Sequence, residues 1–224
     1  MMPLATYLTD RDADAGLRIR TAAVLLFARQ GYAATTIRDL ARTVGMTNAG
    51  IYHHVPSKEA LLADLLISGH RGLVEATTTV LDGAAGAAER LALLISSLTA
   101  THALNPMTTR VMDGELRSLT PGSPALAEVI ALRDVYEDRW REAVADGVRE
   151  GVFHVADQKL TRLALMTMCT GTSEWYRPDG DSTLEQVCAE FVAIGLAAVR
   201  STTAPPPAAD LSLLPDLPWE PPRD

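Results

Sequence analysis

Ile37, Leu40, Ala41 and Val44 recur at the spacing of one helical face, with Thr36 before them and Gly45 after them. Thr36 is an N-cap candidate, and Asp39 stands three residues on, where it closes a capping box. Gly45 accepts the left-handed backbone that ends a helix. Thr47 is the next cap, Ile51 and Tyr52 return to the apolar side, Pro56 stops the element, and Ser57 caps a third. The stretch Thr36 to Lys58 therefore predicts two short helices around a tight turn and the start of another helix. Two short helices bury little alone. Ile19, Ala22, Ala23, Leu26 and Phe27 supply the longer partner, a helix over about 14–30 that Gly31 ends and on which Tyr32 packs at the corner. This spacing is that of a helix-turn-helix that reads DNA.

Downstream, the pattern stays helical. Leu61, Leu62, Leu65 and Leu66 mark a helix from Ser57 to about 79, and the small residues 82–88 read as a joint. Further helices are predicted over about 88–102, 107–119 (after the Asn105-Pro106 break), 125–150, 157–176 and from Ser182, capped with Glu185, to about 200. The fold class is all-α, with about nine helices. The predicted organisation is a mobile arm at 1–13, a DNA-binding head at 14–60, a connector helix with a ligand-binding and dimerisation body at 61–200, and a proline-rich tail at 201–224 outside the ordered core. Trp219 is the candidate anchor should that tail lie along the body. The helices at 157–176 and 183–200 carry more apolar surface than one subunit hides. They predict a two-fold dimer with a four-helix bundle, in which Gly171, Gly195, Ala164 and Ala198 permit close approach.

Composition narrows the classes. An apolar fraction of 47% over 224 residues supports a sizeable core. No run of 18 uncharged apolar residues appears, and the first residues lack the basic-then-apolar order of a secretory signal, so a cytoplasmic protein away from membranes is expected. Cys169 and Cys188 read as buried reduced thiols. The net charge of −8 speaks against nucleic acid, but residues 15–58 hold six basic residues and one acid, a local +5. Phosphate contact depends on that local field.

Residues 18–62 resemble the DNA-binding head of the TetR family of transcriptional regulators. The resemblance rests on Ile19, Ala22-Ala23, Phe27 and Gly31-Tyr32, then Thr35 to Ala41, Gly45-Met46-Thr47, Ile51 to His54, and Lys58 to Leu62. Val55 departs from it, standing where the family usually has phenylalanine. The resemblance implies an all-helical, homodimeric, ligand-responsive regulator, usually a repressor. The body, at Tyr136 to Trp140, Gly147, Gly151 to Phe153 and Glu174 to Gly180, is similar to a subgroup that controls fatty-acid or sterol breakdown and responds to acyl-CoA thioesters.

In such a head the second short helix enters the major groove. Asn48 then meets a base edge or a phosphate, Ala49 a thymine methyl, and Gly50 permits close approach. Thr36 and Thr47 offer hydroxyls and helix-start N–H groups to phosphates. Tyr52, His53 and Lys58 are expected at the DNA backbone, and Arg38 at a base edge or phosphate; Arg42 is the weaker arginine. The partner is double-stranded, palindromic operator DNA. In the body, Leu98, Met107, Met112, Leu116, Tyr136, Trp140, Met166 and Cys169 are the expected walls of an apolar effector cavity. Arg110, Arg117, Arg133 and Arg139 are available to an anionic part of the effector.

Other classes fare worse. HExxH, GxSxG, a Walker loop and CxxC are all absent, and the histidines have no paired spacing. No catalytic residue, cofactor or metal is expected. A helical dimer without DNA binding leaves the basic stretch unexplained. Within regulators, a repressor of a drug-efflux gene is the alternative, with Glu115 facing a cationic ligand.

Overall fold

A computed structural model describes residues 4–10, 14–206, 209–211 and 219–221. The described residues form eleven α-helices and one 3-10 turn, and no strand is among them. In order they are α1 (Leu4–Thr9), α2 (Ala15–Gln30), α3 (Ile37–Thr43), α4 (Asn48–His54), α5 (Lys58–Leu81), α6 (Ala87–Leu104), α7 (Pro106–Gly114), the 3-10 turn Leu116–Ser118, α8 (Pro124–Arg149), α9 (Gln158–Thr170), α10 (Thr172–Trp175) and α11 (Leu184–Ala198). The all-α expectation holds.

Four details differ from the pattern-based expectation. Leu4–Thr9 is a helix rather than part of a mobile arm, because Leu8 is buried and its carbonyl accepts from Arg18 Nη1 at 3.0 Å. Residues 1–3 and 11–13 of that arm lie outside the described residues. The helix expected at 107–119 stops at Gly114 and tightens into the 3-10 turn. The one expected at 157–176 breaks at Gly171, where the buried Thr172 hydroxyl is shared between the carbonyls of Cys169 (2.7 Å) and Thr99 (3.0 Å). The last helix is capped by Thr183, not Ser182, in a capping box with Gln186.

Two compact units result. One comprises the described residues of Met1–Arg71, Met107–Ala131 and Asp216–Asp224, the other those of Gly72–Pro106 and Leu132–Pro215. The first is larger than a head of 14–60 because α7 and the start of α8 join its core. Ile19, Ala22 and Phe27 of α2, Leu40 of α3, Ile51 of α4 and the α5 leucines pack with Val111, Met112 and Val129. Each fully buried leucine contributes about 2 kcal/mol. Gly69 makes room for α7: a Cβ there would stand 2.6 Å from Met112 Sδ. The tail, expected outside the ordered core, is packed where it is described near its end: Trp219 lies against this core and Pro221 is buried.

In the second unit, α6 packs against α9 and α11, with Trp140, Phe153, Ile95 and Cys169 fully buried or nearly so. A Cβ on Gly147 would overlap the Phe153 ring, and one on Gly195 would overlap Ile95. Gly195 therefore serves close packing inside the chain, not the dimer contact expected of it. Burial pushes the thiols of Cys169 and Cys188 up to about 12, so neither ionises near neutrality. On the outside of this unit, Leu160 (63%), Leu163 (39%) and Ile194 (45%) are exposed on α9 and α11.

Candidate nucleic-acid interface

The short helix α3 is set by its own first turn. Asp39 N–H donates to Thr36 Oγ1 at 3.1 Å, and Thr36 N–H donates back to Asp39 Oδ2 at 3.0 Å. The Thr36 hydroxyl also donates to Asp39 Oδ2 at 2.6 Å. These bonds, with the nearby Arg42 guanidinium, hold the Asp39 carboxyl below the usual carboxylate range. At the other end Gly45 takes φ +67°, and Met46 N–H donates to Ala41 O at 2.9 Å, the closing bond of a Schellman turn. The chain then leaves in an extended conformation at Thr47, whose Oγ1 accepts Gly50 N–H at 3.0 Å and starts α4.

On α4, Ile51 is fully buried in the first unit's core and fixes the rotation of the helix. The opposite side is open: Thr47, Asn48, Ala49, Tyr52, His53 and His54 are all exposed, Tyr52 by 55%. Gly50 is half-buried, and a Cβ there would lie 3.3 Å from Met46 Cε and 3.4 Å from Thr47 Oγ1. Val55, in place of a larger aromatic residue, still packs partly buried against the core.

The basic residues divide into two kinds. Arg18 is buried and holds main-chain oxygens of Leu8 and Val44 at 3.0 and 3.2 Å. Arg20 pairs with Asp64 at 2.6 Å, and Arg42 with Asp39 at 2.7 Å. Lys58 is part-buried and donates to Tyr32 O at 2.8 Å and Thr35 O at 2.6 Å, with its ammonium 4.1 Å from the Tyr32 ring centroid. The Arg38 side chain is exposed on α3 and makes no hydrogen bond or ion pair among the described residues, though its charge helps to lower the Asp39 pKa. The local +5 is thus partly spent on architecture. The use of Arg18 and Lys58 was missed from the sequence, since their acceptors are main-chain oxygens that carry no residue signature.

The eight residues expected to wall one effector cavity separate into two groups. Met107, Met112 and Leu116 pack with the first unit's core. Leu98, Tyr136, Trp140, Met166 and Cys169 pack with the second unit's core. The physical reason lies in α7 and the residue after it: Glu115 Oε1 accepts Tyr32 N–H at 2.9 Å, and Oε2 accepts the Ser118 hydroxyl at 2.6 Å. Glu115 is therefore engaged with the head's corner and is not an open counter-ion for a cation. Within the second unit, Trp140 is fully buried and its indole N–H has no acceptor among the described residues. Arg139 donates to Thr78 Oγ1 at 2.8 Å. A cavity of about 130 Å³ lies elsewhere in this unit, between Ser96 of α6, Cys188 and Val192 of α11, and Pro205 and Leu211. Among the described residues no group of three His, Cys, Asp or Glu side chains is placed to hold a metal ion, and no helix is long and apolar enough to cross a membrane.

Residues 19–65 match the family described as bacterial regulatory proteins, tetR family, and residues 84–199 match the tetracyclin repressor-like C-terminal domain. The chain is 27% identical over 179 residues to the HTH-type transcriptional repressor KstR2 of Mycobacterium tuberculosis strain H37Rv, across 79% of this chain and 88% of that protein. It superposes on a tetR-family regulatory protein from Rhodococcus RHA1 with a TM-score of 0.76 and 29% identity, covering 85% of this chain and 100% of that one. For the ketosteroid transcriptional regulator KstR2 of Mycobacterium tuberculosis the TM-score is 0.77 at 25% identity, over 85% and 96% of the two chains. With a capped helix-turn-helix head and family matches on both parts, the chain belongs to the TetR family of transcriptional regulators, which are not enzymes, and its C-terminal domain is related to that of KstR2.

Proposed function

We propose that the protein is a homodimeric repressor that binds a palindromic operator and is released by an apolar acyl-CoA effector. The observation that carries the DNA part is the open side of α4, where Asn48, Ala49, Tyr52 and His53 stand together while Ile51 anchors the helix from behind. In this reading α4 lies in the major groove. Asn48 meets a base edge, Ala49 a thymine methyl, and Gly50 keeps the helix surface low. Thr36, Thr47, Tyr52, His53 and Arg38 contact the DNA backbone. Lys58 anchors the Tyr32–Thr35 turn with two of its N–H groups and offers the third to a phosphate.

The proposed dimer contact uses α9 and α11, within the expected 157–176 and 183–200. The exposed Leu160, Leu163 and Ile194 support it, since apolar side chains of that size on packed helices are what a four-helix bundle covers. Two symmetric heads then meet half-sites in successive major grooves.

For the effector, the similarity to KstR2, described as a ketosteroid transcriptional regulator, supports an apolar ligand rather than a cationic drug. An effector releases DNA only through unequal affinity for the two states. The test is a preformed protein–operator complex titrated with acyl-CoA thioesters of increasing length, and with cationic dyes in parallel. Release by a subset of thioesters is expected. Retention with every thioester, or release by the dyes alone, rejects the effector assignment.

A further inference from the structure

The end of the chain is seated on α7. Glu220 Oε1 accepts Met107 N–H at 3.0 Å, and Oε2 accepts Thr108 N–H at 2.8 Å. These are two of the N–H groups that the first turn of a helix leaves without an internal acceptor. Pro106, which opens the helix, has no N–H to add. A carboxylate at this end is also favoured by the helix dipole. The residue that supplies it stands 113 positions along the chain. The seat is more than a lone helix end. Trp219 packs against the first unit's core with its indole nitrogen shielded from solvent, Pro221 is buried, and the buried Thr108 hydroxyl has no partner among the described residues.

The far end of the same nine-residue helix leads to the head. Glu115, directly after α7, accepts the Tyr32 N–H, and Lys58 holds the Tyr32 and Thr35 carbonyls from the other side. Thr36, the next residue, caps α3. Tail, α7, Glu115, the Tyr32 corner and α3 form one contiguous run of bonds.

We propose that the first turn of α7 is a docking site for the chain's own Trp219–Glu220–Pro221 segment, and that docking holds the Tyr32 corner in the position that presents α3 to DNA. The coupling part rests on the regulator reading; the docking part does not. Release of the segment then lowers operator affinity, roughly five-fold or more for coupling of ordinary size.

The experiment uses full-length protein, with Glu220→Ala as the main variant and Glu220→Gln as a milder one that keeps shape and one acceptor oxygen. Amide hydrogen exchange is followed at Met107 and Thr108, and operator affinity is measured on the same samples. Glu220→Ala is expected to speed exchange at both amides roughly ten-fold, as for the loss of a helix cap, and to weaken operator binding, with Glu220→Gln in between. Unchanged exchange in Glu220→Ala overturns the docking site. Faster exchange with unchanged operator affinity overturns the coupling. A wild-type protein that binds no operator overturns the regulator reading, while the exchange result still decides the docking.

Discussion

Lys58 reaches from the first turn of α5 to the main-chain oxygen of Tyr32 at 2.8 Å and lies over the Tyr32 ring. The residue that motif reasoning assigns to a phosphate is thus a structural pin of the α2–α3 corner. Hydrogen bonds from a charged donor contribute about 1.5–3 kcal/mol, so Lys58→Met should lower unfolding stability by about that much in urea titrations. On DNA it should weaken binding to all sequences alike and reduce the slope of log affinity against log salt by about 1. A stability loss with an unchanged slope would confine Lys58 to the structural role.

Thr36 and Asp39 make a second test. The Thr36 hydroxyl, then its backbone N–H, lower the Asp39 pKa, with Arg42 adding to the effect. A carboxyl whose folded pKa lies below its unfolded value contributes stability at pH above about 4, and that contribution is lost as pH falls through the folded value. Thr36→Val should therefore be less stable than wild type at neutral pH, by about 1 kcal/mol for the lost cap. Below about pH 4 the gap between the two should narrow. Thermal unfolding across pH 2–7 (roughly the range in which a carboxyl titrates) checks this; a gap that is constant with pH would exclude the Asp39 linkage.

Asn48 tests base reading. Asn48→Ala should change the ranking of operator variants that differ at one position in each half-site, because a bidentate base contact discriminates by about 1–3 kcal/mol. Competition anisotropy against a panel of such variants measures it. An unchanged ranking with uniformly lower affinity would assign Asn48 to the phosphates instead.

Gly147 tests the second unit's packing. A Cβ there overlaps the Phe153 ring. Gly147→Ala should destabilise by about 1–3 kcal/mol, the usual cost of overpacking, despite alanine's better helix propensity. Gly147→Ala with Phe153→Leu should recover part of the loss, and denaturant midpoints of the two variants decide it.

The dimer proposal has its own measurement. Sedimentation of the wild type should give twice the 24.0 kDa chain mass, and the Leu160→Glu, Ile194→Glu double variant should move toward the single-chain mass. A wild-type mass near 24.0 kDa at micromolar concentration would remove the proposed contact.

Most of the helical order was legible because its signals are local. The Thr36–Asp39 box, the Thr47 cap and the left-handed Gly45 each sit within four residues of what they terminate or start. The last helix shows how fine that signal is: Ser182 and Thr183 each have a glutamyl or glutaminyl partner three residues on, and only backbone geometry selects Thr183 with Gln186. What escaped is long-range. α1 is held by Arg18 through a main-chain oxygen, α7 joins the head through Glu115 and Tyr32, and Glu220 caps a helix more than a hundred residues earlier in the chain. None of these leaves a periodic trace. The exposed side of α4 follows directly from burying Ile51, so the candidate DNA face was readable. The single effector wall was not, because helical spacing does not say which core a methionine of α7 joins.

Reading of a specific operator by the capped α3–α4 head is the proposed role of the chain. It is tested most directly by incubating the full-length protein with fragmented total DNA of its source, recovering the bound fraction and sequencing it, with an Asn48→Ala, Ala49→Glu double variant in parallel. A palindromic sequence with half-sites about one helical turn apart should be enriched, lost in the double variant and declining steeply with salt. Recovery of no sequence above bulk composition at any salt concentration, or equal enrichment with the double variant, would contradict it.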